Sequence, residues 1–265
     1  MRRFVTLLLL VLLVAAGGCA TPPNPSDPAA VAEFRALNDP FEPFNRQVFA
    51  LNEAFDAMAL RPAAIFYKEI IPPPFQRGTN NFLANLRAPV ILFNDLLQLD
   101  LSSAGNTAMR FIINSTLGVG GLDDRASDFG YPNRDNDFGI TLGSWGVPDG
   151  PYLVLPGFGP SSPRDAAGIA VDSAILDPLG VLGNFNSSLS DLSWARLGVG
   201  AANTRARVDD ELEDLRRNSL DFYAALRSLY RQMRAGRLKE GQVTPAGRGL
   251  EPIEDDYSFP DIPDD

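Results

Sequence analysis

The 265-residue chain has no histidine, one cysteine and two lysines, Lys68 and Lys239, and its 33 acidic residues leave a net charge of −10. The missing histidines exclude Ser-His-Asp and Cys-His nucleophiles, imidazole acid–base catalysis and HExxH zinc sites, and a single cysteine cannot close an internal disulfide or thiolate metal site. At 45% hydrophobic the chain can bury a real core, while its acidity argues against nucleic acid as a partner and against electrostatic attachment to anionic membranes.

The chain opens with Met1-Arg2-Arg3, an apolar run from Phe4 to Val14 and the small residues Ala15-Ala16-Gly17-Gly18. That pattern is a secretory signal peptide over 1–18, too short to count as a membrane span. Cys19 follows it directly and looks like the acylated cysteine of a bacterial lipobox. Ala16 departs from the Leu usual at that point of a lipobox. Ala20 replaces the Asp that retains lipoproteins at the inner membrane, which points to the outer membrane, periplasmic side. The alternative is an ordinary cleaved signal with a chance cysteine. Residues 19–38 read as a Pro-rich lipidated tether, 39–236 as the folded domain, and 237–265 as an acidic disordered tail. Seven acids (Glu251, Glu254, Asp255, Asp256, Asp261, Asp264 and Asp265) and no base follow residue 250. Setting those acids aside, together with Arg2 and Arg3, leaves 21 bases and 26 acids over 19–250, a net of −5.

Within the domain the pattern is mainly helical. Asp39-Pro40 reads as a cap and first-turn pair for a helix over 40–59, with Phe44, Val48, Leu51 and Phe55 on one stripe. Residues 79–99 carry Phe82, Leu86, Val90, Phe93 and Leu97 at similar spacing, with Pro89 expected to kink or divide the helix. Leu83, Ile91 and Leu92 widen that face. A wide apolar face suits either a buried core or contact with lipid. Further helices are expected over 103–117, from Asp165 to Ile175, and over 203–236, the last broken at Asn218-Ser219 with Ser219 capping its second half. The Gly/Pro-dense segment 129–163 instead predicts a β-hairpin over about 141–156, turning at Pro148-Asp149-Gly150. After the signal no stretch has 18 uninterrupted apolar residues, so no ordinary transmembrane helix is expected.

The block from Phe138 to Asp165, FGITLGSWGVPDGPYLVLPGFGPSSPRD, resembles the signature of the MlaA/VacJ family of outer-membrane lipoproteins. So do Asn38–Arg46 (NDPFEPFNR), Leu60-Arg61-Pro62 followed by Tyr67 and Pro72, Arg110–Asp123 (RFIINSTLGVGGLD), and Ser219–Tyr223 followed by Leu226–Gln232, all in order over about 38–235. Ile140 departs from the polar residue common in that family. The resemblance implies a ring-like single helical domain in the inner leaflet of the outer membrane, enclosing an amphipathic channel. Phospholipids misplaced in the outer leaflet would pass through it to a periplasmic lipid-carrier protein of the Mla pathway. A trimeric outer-membrane porin would hold the ring. The implied attachment is a lipid anchor plus apolar surface, with no cofactor, no metal and no chemical bond changed.

Several residues stand out as candidate site groups. Trp145, Gly146, Val147, Gly150, Pro151, Tyr152 and Leu153 read either as a lid over the channel or as a structural hairpin with aromatic anchors at the membrane interface. Arg46, Arg110 and Arg164 suit phosphate head groups, or else pair with carboxylates such as Glu42, Asp123 or Asp165. Asn45, Asn52 and Asn114 either line the channel or satisfy buried backbone groups. The competing functions are a structural lipoprotein that docks on porins without moving lipid, and a lipid hydrolase. The hydrolase needs a nucleophile and base from a chain without histidine and nearly without lysine. A carboxylate pair is always available among 33 acids and so has little content.

Overall fold

The computed structural model describes residues 38–183 and 187–242, with Asn24, Ser26 and Val31. The signal segment, Cys19, most of the tether and the tail from 243 onward lie outside the described residues. The fold is built from helices and one two-stranded hairpin.

Helix α1 (Glu42–Phe55) runs through a wide π-turn, Asp56–Leu60, into α2 (Arg61–Ile70). Pro62 lacks the N–H that an unbroken ladder would use, and the wide turn just before it absorbs the mismatch. Asp39 does not cap α1: the N-cap is Phe41, without a side-chain hydrogen bond. The Asp39 carboxylate is buried and spoken for elsewhere. Helices α3 (Pro73–Leu97) and α4 (Leu101–Thr116) form a helical hairpin whose short connection contains Leu99 in the left-handed region, φ 59°. Asp100 caps α4 by accepting from Ser103 N at 3.0 Å. Pro89 neither divides nor ends α3; burial of Asn85, Ala88, Val90 and Ile91 keeps the helix continuous across the lost hydrogen bond.

The short α5 (Arg125–Asp128) precedes α6 (Phe138–Ser144), strands β1 (Leu153–Leu155) and β2 (Gly159–Ser161), and α7 (Pro163–Val171). The expected hairpin therefore moves. Residues 138–144 are helical, capped by Asp137, which accepts from Ile140 N at 2.9 Å. The strands pair Leu153 with Ser161 and Leu155 with Gly159, so the reversal lies at Pro156-Gly157-Phe158, with Gly157 and Gly159 at φ 77° and 81°. The glycines of α6 serve contact rather than turning: a Cβ on Gly168 of α7 would lie 2.4 Å from Gly139 N. Ser162, not Asp165, caps α7.

A second π-turn, Asp172–Leu176, leads to α8 (Pro178–Gly183), then α9 (Ser187–Arg207), α10 (Asp209–Asn218) and α11 (Phe222–Gln242). The C-terminal break falls at 219–221 as expected. Its cap is Asp221, which accepts from Ala224 N at 3.2 Å, rather than Ser219. Contacts between elements close into a cycle. α1 continues into α2, α2 packs on α9, α9 on α3, α3 on α6, α6 on α11, and α11 on β2, whose partner β1 returns to α1. This is the ring-like helical domain that the sequence implied. Its apolar core is small: Val48, Tyr152, Val154 and Tyr223, flanked by Phe44, Phe49 and Tyr230.

Candidate functional site

Three features built on this ring bear on function. The first is its exposed apolar surface. Phe66 on α2, Phe75 on α3, Leu99 and Leu101 around the α3–α4 turn, Ile112 and Leu117 at the end of α4, and Trp194 and Leu197 on α9 are all exposed. Phe75 and Trp194 each keep 69% of their surface open and Leu99 keeps 84%. Water-soluble monomers rarely expose large contiguous apolar patches, and so many open aromatic and aliphatic side chains point to an apolar neighbour. Val119, β-branched and 72% exposed, even holds φ 54°, a conformation that such residues rarely adopt. No helix among the described residues is long and apolar enough to cross a membrane.

The second feature is the seam where α1 and α11 grip the hairpin. Asn45 is fully buried; its amide donates to Asp39 Oδ1 at 2.8 Å and to Tyr152 O at 3.0 Å, and its oxygen accepts from Val154 N at 3.0 Å. Two helical turns on, Asn52 donates to Leu155 O at 2.9 Å and accepts from Gly157 N at 2.8 Å. Seven residues of helix advance about 10 Å, so two asparagines on one face act as a side-chain strand along the free edge of β1. Asp39 accepts from Tyr223 Oη at 2.5 Å and from Arg227 Nη1 at 2.7 Å. Burial and the adjoining Asp39 carboxylate push the Tyr223 hydroxyl far above its ordinary range, so it stays a donor. Arg46 pairs with Glu42 at 2.8 Å and Asp221 at 2.5 Å, and its guanidinium lies 4.4 Å from the Tyr223 ring centre.

Farther along α11, Arg234 bridges Asp137 and Asp165, each at 2.6 Å. Asp165 also accepts from Tyr230 Oη and lies 3.4 Å from Arg164 Nε. Burial pushes the Asp137 carboxyl up, but its hydrogen bond and attraction to Arg234 more than offset that and hold it below the usual carboxylate range. Arg164, Asp165, Tyr230 and Arg234 line a cavity of about 390 Å³ that also includes Asp149 and Leu238.

The third feature is a polar cleft between α3 and α4, about 50 Å³, lined by Asn81, Asn85, Arg110, Phe111, Asn114 and Arg134 among others. Arg110 donates to both oxygens of Asp124 at 2.9 Å and to Tyr131 O. Asn114 donates to Asp124 Oδ1 at 3.0 Å and accepts from Ala126 N at 2.8 Å.

The sequence-chosen residues thus separate. Asn45 and Asn52 hydrogen-bond to the backbone of the hairpin. Arg46 and Arg164 pair with carboxylates; Arg110 pairs with Asp124, where Asp123 had been expected. Arg110 and Asn114 share the cleft between α3 and α4, and Arg164 and Asp165 share the cavity beside α11. The segment of the lid reading is tied down at four points. Trp145 Nε1 donates to Leu97 O at 3.2 Å, Arg164 Nη1 to Val147 O at 3.3 Å, Asn38 Nδ2 to Gly150 O at 2.6 Å, and Tyr152 N to Asn38 O at 2.8 Å. Gly146 and Gly150 take φ 87° and 76°, and a Cβ on Gly150 would press on Pro163, next to Pro151 in the same bend. Trp145 and Val147 are exposed, Leu153 half-buried and Tyr152 buried against Tyr223 and Tyr230. Ile140, the departure from the family pattern, is buried too. Asp39, Arg134 and Arg234 escaped sequence reasoning. No local pattern marks the two carboxylates, Asp137 and Asp165, that Arg234 meets; only Asp39-Pro40 stood out, and as a cap.

The MlaA lipoprotein family profile matches residues 37–237. The intermembrane phospholipid transport system lipoprotein MlaA of Haemophilus influenzae is 32% identical over 94% of this chain and 96% of its own. The protein of that name in Escherichia coli is 32% identical over 83% of this chain and 86% of its own. A Rickettsia felis protein is 38% identical over 74% of this chain and 76% of its own. A solved structure, described under the structural basis for maintenance of bacterial outer membrane lipid asymmetry, aligns with TM-score 0.64 at 33% identity, covering 76% of this chain and 98% of that one. With the family profile spanning three quarters of the sequence and the ring matched in three dimensions, the chain belongs to the MlaA lipoprotein family.

Proposed function

We propose that this chain is an outer-membrane lipoprotein of an intermembrane phospholipid transport system, anchored through Cys19. It takes phospholipid misplaced in the outer leaflet and hands it to a periplasmic lipid carrier. The observation that carries this reading is the ring of helices that leaves many large apolar side chains exposed although none of the described helices can span a bilayer. Such a ring gains by lying within one leaflet: each large apolar side chain moved from water to hydrocarbon is worth about 1.5–3 kcal/mol. The relatives in Haemophilus influenzae and Escherichia coli carry the transport name. The chain acts without changing a chemical bond. A trimeric porin would complete its hold in the membrane, and net direction would come from lipid gradients and the downstream carrier.

In this reading the 145–153 segment is a fixed element. Trp145 and Val147 meet the interface while Tyr152 belongs to the core, which supports anchoring over a swinging lid. The test uses the two tryptophans, Trp145 and Trp194, both exposed. The protein is placed in bilayers containing phospholipid brominated on the acyl chains. Strong quenching of both, seen in the single variants Trp145→Phe and Trp194→Phe, is the expected result. Emission that stays water-like and unquenched would refute the membrane placement.

A further inference from the structure

We propose that the cleft between α3 and α4 is a phosphate-recognition subsite for glycerophospholipid, with Arg134 as its anion-binding group. The inference rests on the lipid-transport reading and gives it a site. Among the cleft's charges, Arg110 and Asp124 cancel: the pair is bidentate at 2.9 Å, and Asp124 is further taken by Asn114 and Ser127. Arg134 is different. It lines the same cleft, is half-buried, and among the described residues has no ion pair or hydrogen bond. Its field reaches Asp95, but that carboxylate lies outside the lining and already accepts from Asn136 at 2.7 Å and Thr107 at 2.7 Å. The lining itself, with Arg110, Asp124 and Arg134, therefore carries one net positive charge in a chain of net charge −10.

A planar guanidinium with free N–H groups matches two oxygens of one phosphate. Asn133 adds an amide with no partner among the described residues, and Asn81 has only a long bond to Leu122 O, 3.3 Å. The space of about 50 Å³ holds a phosphate group, not a whole lipid. Phe111 forms part of the wall and is itself partly exposed, as is its neighbour Ile112. In this proposal acyl chains would run along the exposed part of Phe111 while the phosphate sits on Arg134.

The test measures binding of phosphatidylglycerol and of diacylglycerol, which lacks the phosphate, to the full-length protein in detergent by native mass spectrometry. Wild type is compared with Arg134→Gln, Arg134→Glu and Arg134→Lys, with inorganic phosphate as competitor and thermal melts to confirm folding. Wild type should prefer phosphatidylglycerol. Losing a charged hydrogen-bond partner should weaken binding roughly tenfold in Arg134→Gln, more in Arg134→Glu and least in Arg134→Lys, with diacylglycerol binding unchanged. Equal phosphatidylglycerol binding by folded wild type and Arg134→Gln overturns the site but leaves transport standing. No phospholipid binding by wild type overturns both. Inorganic phosphate that binds in an Arg134-dependent way without displacing lipid makes this a free-phosphate site and overturns the lipid assignment.

Discussion

Replacing Asn45 with alanine isolates the clamp that holds the hairpin to the ring. The side chain is fully buried, and its amide serves Tyr152 O, Val154 N and Asp39 Oδ1. Truncation leaves two buried backbone groups and one carboxylate oxygen short of a partner. At about 1–3 kcal/mol for each orphaned group, with some relief from water entering the space, Asn45→Ala should cost about 3–4 kcal/mol. That is a large share of the roughly 5–15 kcal/mol typical of a domain. At about 2–4 °C per kcal/mol for a domain this size, Tm should fall by roughly 6–15 °C. Asn45→Asp should be worse, because it sets a second carboxylate against Asp39. Asn52→Ala is the control: Asn52 is half-buried and its partner Gly157 is exposed, so it should cost about 1 kcal/mol. Thermal and urea unfolding followed by far-UV circular dichroism in detergent gives all three values. An Asn45→Ala protein as stable as wild type, or no less stable than Asn52→Ala, would refute the clamp.

Gly168→Ala should destabilise by about 2 kcal/mol or more, since the new methyl would meet the Gly139 backbone, which cannot swing aside as a side chain does. Gly105→Ala, exposed in α4 with nothing within 4 Å, should instead stabilise by about 0.5–1 kcal/mol; unfolding curves that reverse this order contradict the packing of α6 on α7. Arg234→Gln strips both Asp137 and Asp165 of their shared partner and should cost about 3 kcal/mol at neutral pH. Because Arg234 holds the Asp137 carboxyl low, that stabilisation is complete above the ordinary carboxylate range and disappears as pH falls through the depressed value. The stability gap between wild type and variant should therefore close on acidification; a gap that stays constant down to the acid unfolding limit would contradict the network.

The helical stripes were legible, but not what they face. Phe44, Val48, Leu51 and Phe55 have the periodicity of a core helix, yet Val48 is buried while Leu51 and Phe55 are exposed. In α3, Val90 is buried while Phe82, Phe93 and Leu97 remain open. Periodicity reports that a helix has two faces; it does not distinguish protein from hydrocarbon as the apolar neighbour. Helix α6 was misread because Gly139, Gly143 and Gly146 look like turn residues, whereas Gly139 is there to let α7 approach. Helix α9 is legible only from 203, since residues 187–202 are rich in Ser, Gly and Ala and their apolar residues are largely exposed. The site residues were chosen for chemistry that suits lipid. What separates Asn45 from Asn114, or Arg46 from Arg134, is which partner the ring's closure brings across from some hundred residues away, and local sequence does not encode that distance.

The most direct test is the amount of phospholipid exposed in the outer leaflet of cells lacking this protein, complemented with wild type or with Cys19→Ala. The account predicts that exposure rises on deletion and returns to normal only with the wild-type copy. Unchanged exposure on deletion would contradict lipid retrieval and leave a lipoprotein that docks in the envelope without moving lipid.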